Sequence, residues 1–302
     1  MQLSIIIVNH NSRSLLEQCL ASVQKARTGI VSEIIIVDNN SMDGSKEQLP
    51  AKFPNLKFIF NKENLGFAKA CNQGCKVASG KYILFLNPDT ILPATSLAGC
   101  LSFFETHPEA GAVGVRMVDI QRRFLKESKR GLPTPSASFY KLFGLSAIFP
   151  RSKTFSKYYE GHLPERENNP VDVLSGAFMM IRKEVFEKLN GFDERFFMYG
   201  EDIDLSLRIM NAGYKNYYMG TVSVIHLKGG STEYNYKYIK NFYGAMNLFV
   251  AKHYSKKPFF YRLLLYAGIS TRKMLALPGL LFKRGDVNQH IIVYSPHSSE
   301  QL

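Results

Sequence analysis

Three apolar runs in the first third of the chain, SIIIV at 4–8, IIIV at 34–37 and YILFL at 82–86, are almost unbroken, and each stops at a polar cluster. A strand with one wet face alternates apolar and polar residues, whereas an unbroken run is buried on both faces. Such strands belong to the middle of a parallel sheet covered by helices. KFIF at 57–60 and AVGVRM at 112–117 read as two more strands. Helical patterns fall between them. Leu15, Leu16, Cys19, Leu20 and Val23 share one helical face, and Ser14-Leu15-Leu16-Glu17 has the form of a capping box. Further helices are expected after Asn64-Leu65-Gly66 and over 96–105. Strand and helix in alternation predict βαβ units, an α/β fold with a mostly parallel sheet.

In such sheets ligands bind beyond the carboxyl ends of the strands. Asn9-His10-Asn11, the stretch Asp38 to Asp43, and Asn87-Pro88-Asp89 occupy those ends. A carboxylate at Asp89 suits a hard divalent cation, with Asn87 in support, although Asn-Pro-Asp is also an ordinary turn. Asp38 suits a base edge or a ribose hydroxyl, or else a turn; Asp43 reads as a turn or cap residue.

Residues 118–170 are proline-punctuated and read as irregular. Beyond them, helices are expected over 183–189 and 201–211, with Gly213 as the stop for the second. Glu201 and Asp202 open that second helix, as dipole-favoured caps or as a general base for an acceptor hydroxyl, while Asp204 should point elsewhere. A strand over 222–225 ends at His226, an imidazole able to share a cation with a carboxylate. Gly229, Gly230 and Ser231 follow, a turn able to present N–H groups to phosphate. Helical periodicity returns over 234–252, and 257–284 reads as two short amphipathic helices broken near Gly268 and Pro278.

Lys and Arg number 38 against 25 Asp and Glu, a net charge of +13. Eight basic residues and no acid lie between 251 and 284, interleaved with PFFYRLLLYAGI and MLALPGLLF. That combination suits an anionic membrane surface. No nucleic-acid-binding module is present to make the charge a nucleic-acid signal. Arg262, Arg272 and Lys273 interrupt the apolar stretch, so the segment should lie on a bilayer and not cross it; packing against the domain is the other option. The first residues lack a basic leader, and no apolar window reaches spanning length, so a cytoplasmic location, peripheral on the inner membrane face, is expected. The four cysteines have no zinc-site spacing and read as reduced thiols.

The order of the motifs IIIVNHNS, IIIVDNNSMDGS, NLGFAKACNQG, YILFLNPDT, LSGAFMMIRKEVFEKLNGFDERFFMYGEDIDLSLR and His226 resembles glycosyltransferase family 2, closest to its rhamnosyltransferase-like branch, over residues 3–250. The resemblance implies a GT-A fold spanning 1–250. A nucleotide-binding half would occupy 1–115, an acceptor and catalytic half 116–250, and a basic amphipathic helical extension 251–302. It implies an inverting transfer of a sugar, rhamnose by preference, from a nucleotide-diphosphate donor such as dTDP-rhamnose or a UDP-sugar, using Mg²⁺ or Mn²⁺. The acceptor would be a saccharide hydroxyl, lipid-linked in one reading, in cell-surface polysaccharide synthesis. A fold-conserving nucleotide-sugar-binding protein without catalysis is the alternative. By the same resemblance Val8 and Asn9 border the base, Asp38 contacts base or ribose, and Asn64, Gly66 and Phe67 pack by the nucleotide. Asn87 and Asp89 hold the metal position with His226, Asp202 is the base, and Glu201 stands beside it. Asn87 stands where many family members carry an acid, which removes one negative charge from the metal site.

Overall fold

The computed structural model describes residues 1–228 and 235–277 of the 302. The expected phosphate-side loop of Gly229, Gly230 and Ser231 lies outside the described residues, as does everything after 277.

The strands in chain order are β1 (Leu3–Asn9), β2 (Ser32–Asp38), β3 (Lys57–Phe60), β4 (Tyr82–Leu86), β5 (Thr90–Ile91), β6 (Ala110–Val118), β7 (Lys129–Arg130), β8 (Asn168–Val171), β9 (Val173–Leu174), β10 (Phe178–Arg182) and β11 (Lys215–His226). The helices are α1 (Arg13–Ala26), α2 (Ser45–Lys52), α3 (Phe67–Lys76), α4 (Ser96–Thr106), α5 (Pro135–Leu142), α6 (Leu145–Ile148), α7 (Lys183–Lys188), α8 (Glu201–Asn211), α9 (Tyr236–His253) and α10 (Phe259–Ala276). One sheet runs β3-β2-β1-β4-β10-β6-β11-β5, with β8 also paired to β11. The pairs β2·β3, β1·β2, β1·β4 and β6·β11 are parallel; β10 runs antiparallel to both β4 and β6. A mostly parallel α/β sheet is therefore present, as the apolar runs predict.

Alternate residues of each run feed opposite faces. Ile5 and Ile7 join Ile34, Ile36 and Leu84 against α1 and α4; Ile6 and Val8 join Ile35, Val37 and Phe85 against α3, α7 and α8. Two cores on one sheet explain why these strands tolerate no polar face. A third cluster, built from Phe196, Ile203, Phe249 and Leu265 among others, joins α8 to α9 and α10.

Several local expectations need correction. The capping box fails: Ser12, not Ser14, is the N-cap of α1, and its side chain makes no cap bond. The exposed first-turn N–H of Arg13 is met instead by Asp43 Oδ2 at 2.7 Å. Asp43 is thus a cap residue, supplied from 30 positions away. The segment 118–170 is not wholly irregular; it contributes β7, α5, α6 and β8. The strand ending at His226 is much longer than 222–225. Finally, α10 passes through Gly268 without a break. A mid-helix glycine costs about 1 kcal/mol relative to alanine, which packing of Leu265 and Ile269 on the third cluster offsets. No helix among the described residues is long and apolar enough to cross a membrane.

Candidate active site

A cleft of about 530 Å³ opens beyond the carboxyl ends of β1 and β4. Val8, Asn64, Gly66, Phe67, Asn87, Asp89, Glu201, Asp202 and His226 all line it, so nine of the expected residues converge. Asn9 and Asp38 do not. Asn9 donates to Asp38 Oδ2 at 2.8 Å, and Asp38 Oδ1 accepts the Ser41 N–H at 2.8 Å. Both lie buried behind the wall and brace the loop that follows β2. Asn39, one residue on, reaches the cleft in place of Asp38; its Nδ2 donates to the Gly66 carbonyl at 3.0 Å.

The loop ahead of α3 is shaped by Gly66. Its φ is +83°, and a Cβ there would stand 2.2 Å from the Phe197 carbonyl oxygen. The same oxygen accepts the Phe67 N–H at 2.8 Å, which pins this loop to the segment before α8. Only a residue without a side chain meets both demands.

The short strand β5 pairs with the end of β11, Thr90 opposite His226. This brings His226 Nε2 to 3.3 Å from Asp89 Oδ1. Asp89 is 2% exposed, yet its Oδ1 has no hydrogen-bond partner, and neither has His226 Nδ1. A buried carboxylate oxygen without a partner is costly unless something positive fills the gap. A hard divalent cation held by one carboxylate and one imidazole, with diphosphate oxygens completing its shell, fits this donor set.

On the same cleft, consecutive left-handed residues, Tyr199 at φ +70° and Gly200 at φ +80°, turn the chain sharply into α8. A non-glycine residue there is strained, which points to a functional constraint. The turn places Glu201 and Asp202 in the first helical turn, where the dipole favours carboxylates. Asp202 Oδ2 pairs with Arg130 from β7 and accepts the Gly176 N–H at 3.2 Å; its Oδ1 accepts the Ile203 N–H at 2.8 Å. Burial, and then the charge of Asp202, lift the Glu201 carboxyl to about 8, so it is neutral at pH 7. Asp204 points away, as expected, and ties α8 to α9 through Lys252 and His253, each at 2.6 Å.

Sequence reasoning missed Arg130, Glu127, Tyr199 and Tyr238, all on the cleft wall. Arg130 and Glu127 sit in the proline-rich stretch, where no periodicity marks them. Lys228 reaches the cleft and pairs with Glu127. The thiols are not reactive groups: burial pushes those of Cys19 and Cys100 up to about 12.

The chain is similar in sequence and in fold to known glycosyltransferases. The chain is 28% identical over 241 residues to an N-acetylglucosaminyl-diphospho-decaprenol L-rhamnosyltransferase of Mycobacterium tuberculosis, covering 76% of this chain and 77% of that one. It is 28% identical over 232 residues to the rhamnosyltransferase WbbL of Escherichia coli, covering 74% and 82%. A mannosyltransferase from Pyrobaculum calidifontis, solved with GDP-Man and Mn²⁺, superposes with a TM-score of 0.57 over 93% of this chain and 73% of that one; at 19% identity the likeness is one of fold. The sequence profile of glycosyl transferase family 2 matches residues 4–190, from the first strand of the sheet through Asp89 and past the antiparallel strand at its centre. The chain belongs to glycosyltransferase family 2.

Proposed function

We propose that this chain transfers a sugar, L-rhamnose, from a nucleoside-diphosphate donor to a hydroxyl of a lipid-linked saccharide, with inversion, in cell-surface polysaccharide synthesis. The observation that carries the reading is the convergence on one cleft of the Asp89–His226 pair and the Asp202 carboxylate. Deoxythymidine-diphosphate rhamnose is the preferred donor because two relatives, in Mycobacterium tuberculosis and Escherichia coli, are named rhamnosyltransferases. The lipid-linked acceptor is inferred from the diphospho-decaprenol in the name of the first.

The donor's nucleotide lies against Val8, Asn39, Asn64, Gly66 and Phe67. Its diphosphate faces Asp89, His226 and Lys228. Asp89 and His226 would hold Mg²⁺ or Mn²⁺; the ion supplies neutralising charge for the leaving diphosphate. Asp202 takes the proton of the acceptor hydroxyl as that oxygen bonds to the anomeric carbon and the bond to the diphosphate breaks. One proton acceptor and a single displacement give inversion, in contrast to the paired carboxylates of a double displacement. Arg130 and the Gly176 N–H orient the Asp202 carboxylate, and Glu201, neutral beside it, adds no competing charge.

Residues 1–115 and 116–250 serve as donor and acceptor halves in this scheme, and α10 lies in the basic extension that begins at 251. The exposed Phe259, Phe260 and Leu264 with Arg262 and Lys273 on α10 support peripheral attachment to an anionic inner membrane face. The test is incubation of the full chain with dTDP-rhamnose, Mn²⁺ and an N-acetylglucosaminyl-diphosphate lipid, with product mass and anomeric configuration read by mass spectrometry and NMR. Transfer with inverted configuration is expected. Retention of configuration, or no transfer from any of a panel of nucleotide sugars, refutes the reading.

A further inference from the structure

A second cavity, of about 660 Å³, lies between α5, α9 and α10 and is larger than the catalytic cleft. Its size falls within the ~300–1,000 Å³ typical of small-molecule sites. Pro133, Phe139, Phe242, Met246, Leu264 and Ile269 give it walls of carbon, and no acidic residue lines it. Lys141 and Arg272 contribute the charge; Arg272 Nη2 donates to the Lys141 carbonyl at 3.2 Å.

The cavity adjoins the active site. Phe242 stacks on Tyr238, ring centroids 5.8 Å apart, and meets Tyr199 at 5.8 Å. Both tyrosines line the catalytic cleft, whereas Phe242 lines the second cavity. Pro133 follows Arg130 by three residues, so the strand that holds the base runs directly into the cavity wall. On and beside the same helices and α6, Phe143, Ile148, Phe149, Phe260, Met274 and Leu275 are all exposed, and Phe143 packs on the lining Phe139 with ring centroids 4.4 Å apart. An apolar surface this extensive, open to solvent, marks a site for an apolar partner.

We infer that this cavity takes the first part of the hydrocarbon chain of a lipid diphosphate, so that the acceptor's sugar lies in the cleft while its lipid is gripped between α5, α9 and α10. The inference rests on the lipid-linked acceptor proposed above and adds its binding site. The occupant is set by the chemistry: a hydrocarbon for the walls, an anionic diphosphate for Lys141 and Arg272, and a sugar end that continues toward Asp202 past the Tyr199, Tyr238 and Phe242 rings. The apolar collar would lie in the surface of the bilayer from which such a chain is drawn.

Gly268 offers a clean test. It lines the cavity, and a Cβ built on it meets nothing within 4 Å. Gly268→Phe fills the space from a helical position that larger residues favour, and Gly268→Leu does so to a smaller extent. Each methylene removed from its site is worth roughly fourfold in affinity, so displacing two carbons costs about fifteenfold. The probes are farnesyl diphosphate and inorganic diphosphate, titrated calorimetrically into the full chain. Farnesyl diphosphate should bind wild type about tenfold or more tighter than inorganic diphosphate, and Gly268→Phe should remove that advantage. Gly268→Leu should remove part of it, with donor hydrolysis unchanged and the thermal midpoint the same or slightly raised in both variants. Equal affinity of the two probes for wild type, or an undiminished advantage in both variants, overturns the inference. A kinetic comparison separates the two readings. Equal kcat/KM for polyprenyl-linked and methyl-linked acceptors overturns the lipid site and leaves the transferase standing; transfer to neither, with donor hydrolysis intact, overturns both.

Discussion

Replacing Glu201 by glutamine keeps the shape of the side chain and removes its titration. In the folded chain, burial and the neighbouring Asp202 charge raise this carboxyl from 4.5 to about 8. Between those values the folded state keeps a proton that the unfolded state has lost. The unfolded chain then binds fewer protons, so stability falls as pH rises from about 4.5 and levels off above about 8. At about 1.4 kcal/mol per pH unit, the interval amounts to roughly 4–5 kcal/mol. Glu201→Gln should abolish this component. For a chain of this size about 2 °C per kcal/mol is the working conversion, so the variant should melt roughly 8–10 °C above wild type at pH 9 and alongside it near pH 5. Differential scanning calorimetry across pH 5 to 9 makes the comparison. Melting curves of wild type and variant that decline in parallel with pH would show that Glu201 titrates normally, and the reasoning about its burial would be wrong. The same variant should retain turnover at pH 7 within about tenfold, because a neutral amide replaces a neutral acid.

Other substitutions probe the remaining walls of the cleft. Asp202→Asn should lower turnover by roughly 10²–10⁴-fold with donor affinity little changed, and near wild-type turnover would remove Asp202 from proton transfer. Asp89→Ala should abolish the Mn²⁺ dependence of donor binding and His226→Ala should weaken it, as read by calorimetry with and without the ion; unchanged dependence in Asp89→Ala would place the ion elsewhere. Arg130→Met should destabilise the fold by about 3–5 kcal/mol by leaving the Asp202 charge unpaired, measured by urea denaturation; a loss under ~1 kcal/mol would mean that water already screens the pair. Gly66→Ala should cut donor affinity and stability together, since its methyl would displace the Phe197 carbonyl; a wild-type melting point would contradict that contact.

The central strands were legible because burial on both faces leaves a mark in one stretch of sequence. FMMI at 178–181 is an equally apolar run, yet nothing local marks it as β10: its partners β4 and β6 lie far away in the chain, and pairing is not written locally. The capping box at Ser14 was a sound local pattern defeated by a carboxylate, Asp43, that arrives from the loop beyond β2. Asp38 and Asn39 show the limit of reading strand ends. Consecutive residues there face opposite ways, and one step of register decides which side chain meets the ligand. Asp89, His226 and Asp202 could be named from motif order, but Arg130 reaches Asp202 across 72 residues from a segment without periodicity. Only the folded chain brings it into view.

The antiparallel strand at the centre of the sheet also bears on how the chain is made. During synthesis β1 to β4 emerge first and can assemble with α1 and α3. The outer edge of β4 must then wait for β10, which follows roughly ninety residues later, a delay of about 5–20 s at ordinary elongation rates. Through that interval Tyr82–Leu86, apolar at every position, is an unpaired edge of the kind that recruits other chains. A nascent or truncated chain ending before β10 is therefore the form of this protein most prone to aggregate. The donor half cannot be expected as a well-behaved fragment, however complete its motifs look.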